Sequence, residues 1–88
     1  MNAESRLNCL RTRLETVFSP EYLHIDDESS KHAGHAGAKE QGGGHYVVSI
    51  RAASLKERST LARHRAVNTA VKDLFGPVIH ALTLHFPD

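Results

Sequence analysis

The first stretch of regular hydrophobic spacing lies near the N-terminus. Leu7, Leu10, Leu14 and Val17 recur at helical intervals with charged residues between them, which predicts an amphipathic helix over about residues 2–19 with one buried face. The helix should end there, because a proline follows and the residue before a proline disfavours helical geometry.

A second helix is predicted from about Ser59 to Phe75. Serine is a favourable N-cap, and Gly76-Pro77 is a strong stop signal, since glycine accepts the left-handed position and proline cannot continue the helix. Its buried stripe should consist of Ala66, Val67, Ala70, Val71 and Leu74.

Three segments alternate between apolar and polar residues, as half-buried strands do. They cover residues 22–26, 45–51 and 78–86. In the second segment Tyr46 and its alternate neighbours should face the core. His45 opens this strand and His24 lies on the first one, and we interpret both histidines as structural.

Residues 26–45 have no apolar period, and they contain most of the glycines and three of the seven histidines. This predicts one long loop, and a connection of about 15 residues or more in a small domain is most often functional or disordered.

The predicted order is helix, strand, strand, short helical turn, helix, strand, with residues 52–58 forming the connection before the second helix. This is an α/β (α+β) single domain over residues 1–88, with a three-stranded mixed sheet and both long helices on one face. Strands one and two should be antiparallel, and strands two and three parallel through a right-handed crossover. The predicted core comprises Leu7, Leu10, Leu14, Ile25, Val48, Ile50, Val67, Val71, Leu74, Leu82 and Leu84.

This topology bears on chemistry because parallel strands start at the same end of a sheet. The start of the third strand should therefore lie where the loop ends. His80 is then brought toward the loop residues His32 and His35.

Composition narrows the function classes. The chain is 40% hydrophobic and 24% charged, as ordinary soluble globular domains are. The single cysteine, Cys9, excludes an internal disulfide and fits a reducing compartment; we interpret it as an inert, partly buried thiol. The absence of a long apolar run predicts a cytoplasmic protein without a membrane span.

Four segments resemble the signature segments of the BolA-like family. They are residues 27–35 (DESSKHAGH), 43–46 (GGHY), 63–65 (RHR) and 78–82 (VIHAL). Together they extend over nearly the whole chain, in the order and at the spacing of the family. The resemblance implies a fold related to the class II KH domain, in agreement with the predicted element order.

The resemblance also implies a function. Proteins of this family pair with monothiol glutaredoxins around a shared [2Fe–2S] cluster and take part in iron–sulfur assembly or iron regulation. The position of the family's strand ligand matches His80, and that of its loop ligand matches His32, with His35 a near neighbour that could substitute. Two histidines on one iron have a precedent in Rieske-type sites, and the partner would supply the remaining ligands of the heterodimer. Alone, the chain should be a monomer or weak homodimer without a cofactor.

The chain departs from the family pattern at one place. Many members have Phe-x-Gly before the Arg-His-Arg segment, whereas this chain has Leu55-Lys56-Glu57. The aromatic anchor and the glycine turn are both missing, which argues against a phosphate-cradling role for that turn.

A second candidate function is DNA binding and transcription regulation, since some family members are described as DNA-binding regulators. Cations are concentrated before and within the second helix, and such a patch could contact DNA phosphates or an acidic protein surface. The residues are Arg51, Lys56, Arg58, Arg63 and Arg65. His64 lies among them, either near an anion site or packed for structural reasons. A net charge of only +1 ranks this function second.

No arrangement typical of an enzyme is evident. Asp26, Asp27 and Glu28 are adjacent rather than opposed across a cleft, and neither a P-loop nor a Rossmann glycine motif occurs. We therefore expect a non-enzymatic protein.

Overall fold

The computed structural model describes residues 2–29 and 44–88. It contains the predicted elements in the predicted order. They are α1 (Ala3–Phe18), β1 (Tyr22–Asp27), β2 (Gly44–Arg51), α2 (Ala53–Lys56), α3 (Thr60–Ala70), a 3₁₀ turn (Lys72–Leu74) and β3 (Ile79–His85). The predicted loop, with His32 and His35, lies outside the described residues apart from its two ends.

The three strands form one sheet in the order β1-β2-β3. Strand β2 pairs antiparallel with β1 and parallel with β3, so the predicted mixed topology is confirmed. Gly44 at the start of β2 is the partner of Ile79 at the start of β3. The two strand starts therefore lie side by side, as the crossover argument requires.

The core lies between one face of the sheet and the helices. Along β2 every second residue is buried and the residues between are half-exposed, which is the pattern of a sheet covered on one side. The inward side chains of β2 pack with Leu10 and Leu14 of α1 and with Val67 of α3. His45, Val47, Ser49 and Arg51 therefore lie on the face away from this core.

Nine of the eleven predicted core residues are buried, and the other two are only partly buried. Leu7 and Leu82 pack against the core but remain partly accessible. On α1 the predicted stripe also fails at its last turn, where Val17 is 50% exposed and Phe18 packs against the core instead. The larger apolar side chain takes the inward position as the helix ends. Five further residues are buried: Tyr46, Ala52, Leu55, Val78 and Ile79.

The second long helix is shorter than predicted. The α-helix ends at Ala70, whose carbonyl accepts a hydrogen bond of 2.9 Å from Nη1 of Arg13 on α1. Beyond it the backbone tightens to a 3₁₀ turn, with the amide of Leu74 donating to the carbonyl of Val71 at 2.9 Å. Helix ends often tighten in this way when their last carbonyls find other partners.

Leu55 is the anchor of the short turn before the second long helix, at the position where the family pattern has an aromatic residue. It is 2% exposed although it belongs to a helix of only four residues. The amides of Leu55 and Lys56 both donate to the carbonyl of Ala52, at 3.0 and 3.1 Å. A buried aliphatic side chain and local backbone bonds thus define the turn without glycine.

Candidate functional site at the start of strands β2 and β3

Both ends of the long loop are attached to one point of the sheet. The side chain of Ser29 accepts a hydrogen bond of 3.0 Å from the amide of His45, and the amide of Glu28 donates to the carbonyl of His45 at 2.8 Å. Asp27 holds Ser29 in position, since its Oδ1 accepts from the Ser29 amide at 2.9 Å. The chain therefore leaves the sheet next to His45. It returns to the sheet one residue earlier, at Gly44.

Gly44 is required at this point because the ring of Tyr46 lies directly against it. A Cβ atom on residue 44 would come within 2.6 Å of the Tyr46 ring and hydroxyl. Tyr46 itself is 1% exposed. Burial raises the pKa of its phenol, and the nearby Arg6 side chain opposes that rise to a smaller extent.

A shift in register directs His80 at the start of β3. Gly44 pairs with Ile79 but His45 pairs with Ala81, so His80 is the extra residue between two consecutive pairs. Such a bulge is rare between parallel strands, and bulges near functional sites redirect a side chain. Ile79 is fully buried whereas His80 is exposed.

The imidazole rings of His80 and His45 lie next to each other. Their centroids are 5.0 Å apart and the rings are tilted by 44°. The predicted position of His80 at this end of the sheet is confirmed, whereas His45, interpreted from the sequence as structural, also lies here with its ring against that of His80. The signal that identifies His45 is the parallel pairing itself, which places the first residues of both strands side by side.

Two other histidines occupy the same sheet without joining this pair. His24 of β1 and His85 of β3 are both exposed, and each is paired with Ser49 of β2. No group of three or more metal-ligating side chains occurs within residues 2–29 and 44–88. The described residues therefore provide a pair of histidines, and no larger cluster, as candidate metal ligands.

The BolA-like protein family matches this chain over residues 14–87. The chain belongs to the BolA-like family. That match covers every element of the sheet and both ends of the loop, so the resemblance carried by the four sequence segments is confirmed.

Individual relatives agree with this assignment. The chain is 35% identical over 75 residues to human BolA-like protein 1, covering 85% of this chain and 52% of that protein. It therefore spans about half the length of the first curated relatives it matches. The DNA-binding transcriptional regulator BolA of Vibrio cholerae is 30% identical over 76 residues, covering 86% of this chain and 68% of the relative.

A solved structure shares the fold of this BolA-like chain. The BolA domain of SufE1 from Arabidopsis thaliana superimposes with a TM-score of 0.76 at 28% identity, covering 93% of this chain and 90% of that domain. Within the parts of the chain that the structure describes, no helix combines the length and the apolar character needed to cross a bilayer.

The Arg-His-Arg segment of this BolA-like protein makes structural contacts. Arg63 donates to the backbone carbonyls of Arg58 and Lys56, both at 3.0 Å, and thereby joins α3 to the end of α2. His64 bonds the carbonyl of Thr60 through Nδ1 at 3.0 Å, and its ring meets Phe86 edge-on with centroids 5.0 Å apart. Of the two alternatives for His64, these contacts favour packing, while anion binding at Arg63 and His64 stays a prediction.

Glu21, which carries no signal in the sequence, compensates two of the predicted cations. Both of its carboxylate oxygens lie 3.0 Å from Nζ of Lys56, and Oε2 lies 3.7 Å from Nε of Arg51. The Arg51 guanidinium also lies over the ring of Tyr22, 5.6 Å from its centroid. These contacts make Arg51 and Lys56 poorer candidates for binding phosphate.

Arg58 and Arg65 are the two predicted cations that remain exposed beside a surface depression. This groove, about 470 Å³ in volume, is lined by Arg58, Ser59, Leu61, Ala62, Arg65, Ala66 and Thr69. Within residues 2–29 and 44–88, neither arginine forms an ion pair. The unpaired part of the basic surface predicted from the sequence therefore lies at the start of α3 and on its exposed side.

Proposed function

We propose that this protein is a non-enzymatic partner of a monothiol glutaredoxin and that the two proteins share a [2Fe–2S] cluster in iron–sulfur assembly or iron regulation. The observation that carries the proposal is the exposed imidazole of His80, directed by a register shift to the end of the sheet where the long loop begins. Imidazole is a borderline ligand that suits iron.

The donor set accounts for the need for a partner. One strand histidine and one loop histidine supply two ligands, and a [2Fe–2S] cluster needs four. The glutaredoxin cysteine and a bound glutathione thiolate would supply the other two. This chain's role is then to present neutral imidazoles at a surface that a second protein can approach.

The attachment of the loop supports His32 as the loop ligand. Ser29 is held against His45, which adjoins His80. His32 follows Ser29 by three residues, so it can reach at most about 10 Å from that point, whereas His35 can reach about 20 Å. Both are within reach of His80 by chain length, and His32 has less chain to order.

The test mixes the full chain with a cluster-loaded monothiol glutaredoxin and records visible absorption and circular dichroism spectra. We expect His80→Ala to abolish the mixed-ligand spectrum and His32→Ala to weaken it. His35→Ala should have an effect only when His32 is also replaced. His85→Ala is the matched control, because His85 is an exposed histidine on the same strand.

An unchanged spectrum on mixing glutaredoxin with the His80→Ala protein would show that the proposed site is wrong. Loss of the spectrum with His85→Ala would do the same, since it would point to the strand rather than to the ligand. The reduction potential gives a second measurement. Exchanging thiolates for imidazoles removes negative charge, so the shared cluster should have a higher potential than an all-thiolate one.

The second candidate function, DNA binding and transcription regulation, rests on the groove flanked by Arg58 and Arg65. The name of the Vibrio cholerae relative points the same way for that protein. If these arginines contact phosphates, affinity for duplex DNA should fall steeply with salt as counterions are released, and Arg58→Glu with Arg65→Glu should weaken all DNA sequences alike. Arg11→Glu, on α1, is the control. Undetectable binding near physiological ionic strength would remove this candidate.

A further inference from the structure

The histidine pair at the start of β2 and β3 brings two imidazoles close enough together to reach one metal ion. The two rings belong to neighbouring strands, and their centroids lie 5.0 Å apart. With metal–nitrogen distances of about 2.0–2.1 Å, two imidazoles on one tetrahedral ion have ring centroids roughly 5 Å apart. The centroid separation in the protein therefore matches that of two imidazoles on one ion.

The backbone around the pair is fixed before any ligand arrives. His45 is held by hydrogen bonds from its amide to Ser29 and from Glu28 to its carbonyl. His80 follows the fully buried Ile79, and the Gly44 amide donates to the carbonyl of Val78 at 3.0 Å. Ligands on rigid strands lose little conformational freedom on binding, which favours affinity.

We propose that His45 and His80 together bind a divalent transition-metal ion when the chain is on its own. Neutral imidazole suits Cu²⁺, Ni²⁺ and Zn²⁺, and at a given nitrogen site the affinity should be highest for Cu²⁺. No third metal-ligating side chain joins the pair within the described residues. Water would complete the coordination.

This site shares His80 with the proposed cluster but uses His45 in place of a loop histidine, so the two proposals can be tested separately. A chain that binds Cu²⁺ through His45 and His80 but gives no mixed spectrum with glutaredoxin would support this inference and contradict the proposed function. The reverse result would contradict this inference alone. The two experiments therefore fail separately.

The test uses the full chain, CuSO₄ and pulsed electron paramagnetic resonance, which counts the imidazoles on Cu²⁺, together with calorimetry for affinity. We expect two imidazoles in the unmodified protein and one in either His45→Ala or His80→Ala. Each of these variants should bind roughly tenfold or more weakly, because the second imidazole no longer acts at high effective concentration. His24→Ala and His85→Ala, on the same sheet, should bind as the unmodified protein does.

The loop histidines require a separate experiment, since they could also bind Cu²⁺. In the His32→Ala/His35→Ala protein we expect both the affinity and the count of two imidazoles to persist. Loss of binding in that protein would overturn the proposal, as would a count of two imidazoles in His45→Ala. Should His45→Ala fold poorly by far-ultraviolet circular dichroism, His45→Gln preserves a polar side chain without an imidazole and must give the same result.

Discussion

Arg13 on α1 clamps Asp73 in the 3₁₀ turn with two parallel bonds, Nη1 to Oδ1 at 2.6 Å and Nη2 to Oδ2 at 3.0 Å. The same guanidinium reaches the carbonyl of Ala70, where α3 ends. One side chain thus joins the first helix to the end of the last one. The hydrogen bonds from Arg13 lower the pKa of the Asp73 carboxyl below its usual value.

Asp73→Asn should therefore lower stability at neutral pH and make its decline in acid smaller. A carboxyl whose folded-state pKa is lowered contributes stability above its unfolded value, and that contribution is lost as the pH falls through the lowered value. The effect should be small because the pair is largely accessible to solvent. The measurement is urea unfolding between neutral and acidic pH, alongside Arg13→Gln and the double variant. Additive effects of the two single changes would contradict the clamp.

Gly44→Ala should destabilise the fold through steric contact, by about 1–3 kcal/mol, since the added methyl group would press on the ring of Tyr46. Replacing Tyr46 by leucine in the same chain should recover part of that loss. Gly76→Ala is the comparison, because a Cβ there meets open space and strains only the backbone, at φ 108°. Denaturant unfolding of the unmodified protein, the two single variants at positions 44 and 46 and their double variant gives the coupling energy between the two positions. If the Tyr46→Leu background recovers nothing, steric contact with the ring does not explain why residue 44 is glycine.

Tyr46→Phe should make stability less sensitive to alkaline pH. Burial raises the pKa of the Tyr46 phenol, so its contribution is complete below the unfolded value of about 10 and declines as the pH rises toward the raised folded value. Phenylalanine cannot ionise and should remove this decline. Tyr22→Phe, at a side chain that is 43% exposed, is the control. Thermal unfolding between neutral pH and pH 11 measures the difference, and equal slopes for Tyr46→Phe and the unmodified protein would disprove the assignment.

Leu55→Ala should cost about 2–5 kcal/mol of unfolding free energy, the range for truncating a buried leucine. Leu61→Ala removes the same atoms from a leucine that is 60% exposed and should have little effect. Leu55→Phe tests whether an aromatic side chain, as in the family pattern, can fill the same position. Chemical denaturation at neutral pH compares the three variants, and equal losses for the two alanine substitutions would mean that Leu55 is not an anchor.

The order of elements could be predicted because it depends on local patterns. Alternation in residues 45–51 and the Gly76-Pro77 stop signal both act over a few neighbours, and the structure confirms what they indicated. The end of α3 could not be predicted in this way. It depends on Arg13, which is 57 residues from Ala70 along the chain.

The candidate site was predictable only in part for the same reason. The parallel connection placed His80 at this end of the sheet, but the register shift that leaves it unpaired, with its ring beside that of His45, is a property of the assembled strands. Likewise, Lys56 belongs to a basic run in the sequence, and its compensation by Glu21 is visible only once α2 lies beside the start of β1. Contacts distant in sequence decided which predicted residues remain available.

The parallel pairing of β2 with β3 makes the histidine pair a product of complete folding. His45 and His80 meet only after the crossover has closed and β3, which follows the other elements described, has docked beside β2. A ligand that needs both imidazoles discriminates against chains in which β3 is detached, and its binding stabilises the chains in which β3 is in place. A metal ion bound to both histidines would therefore mark chains in which β3 has docked. Incompletely folded chains would bind it less well.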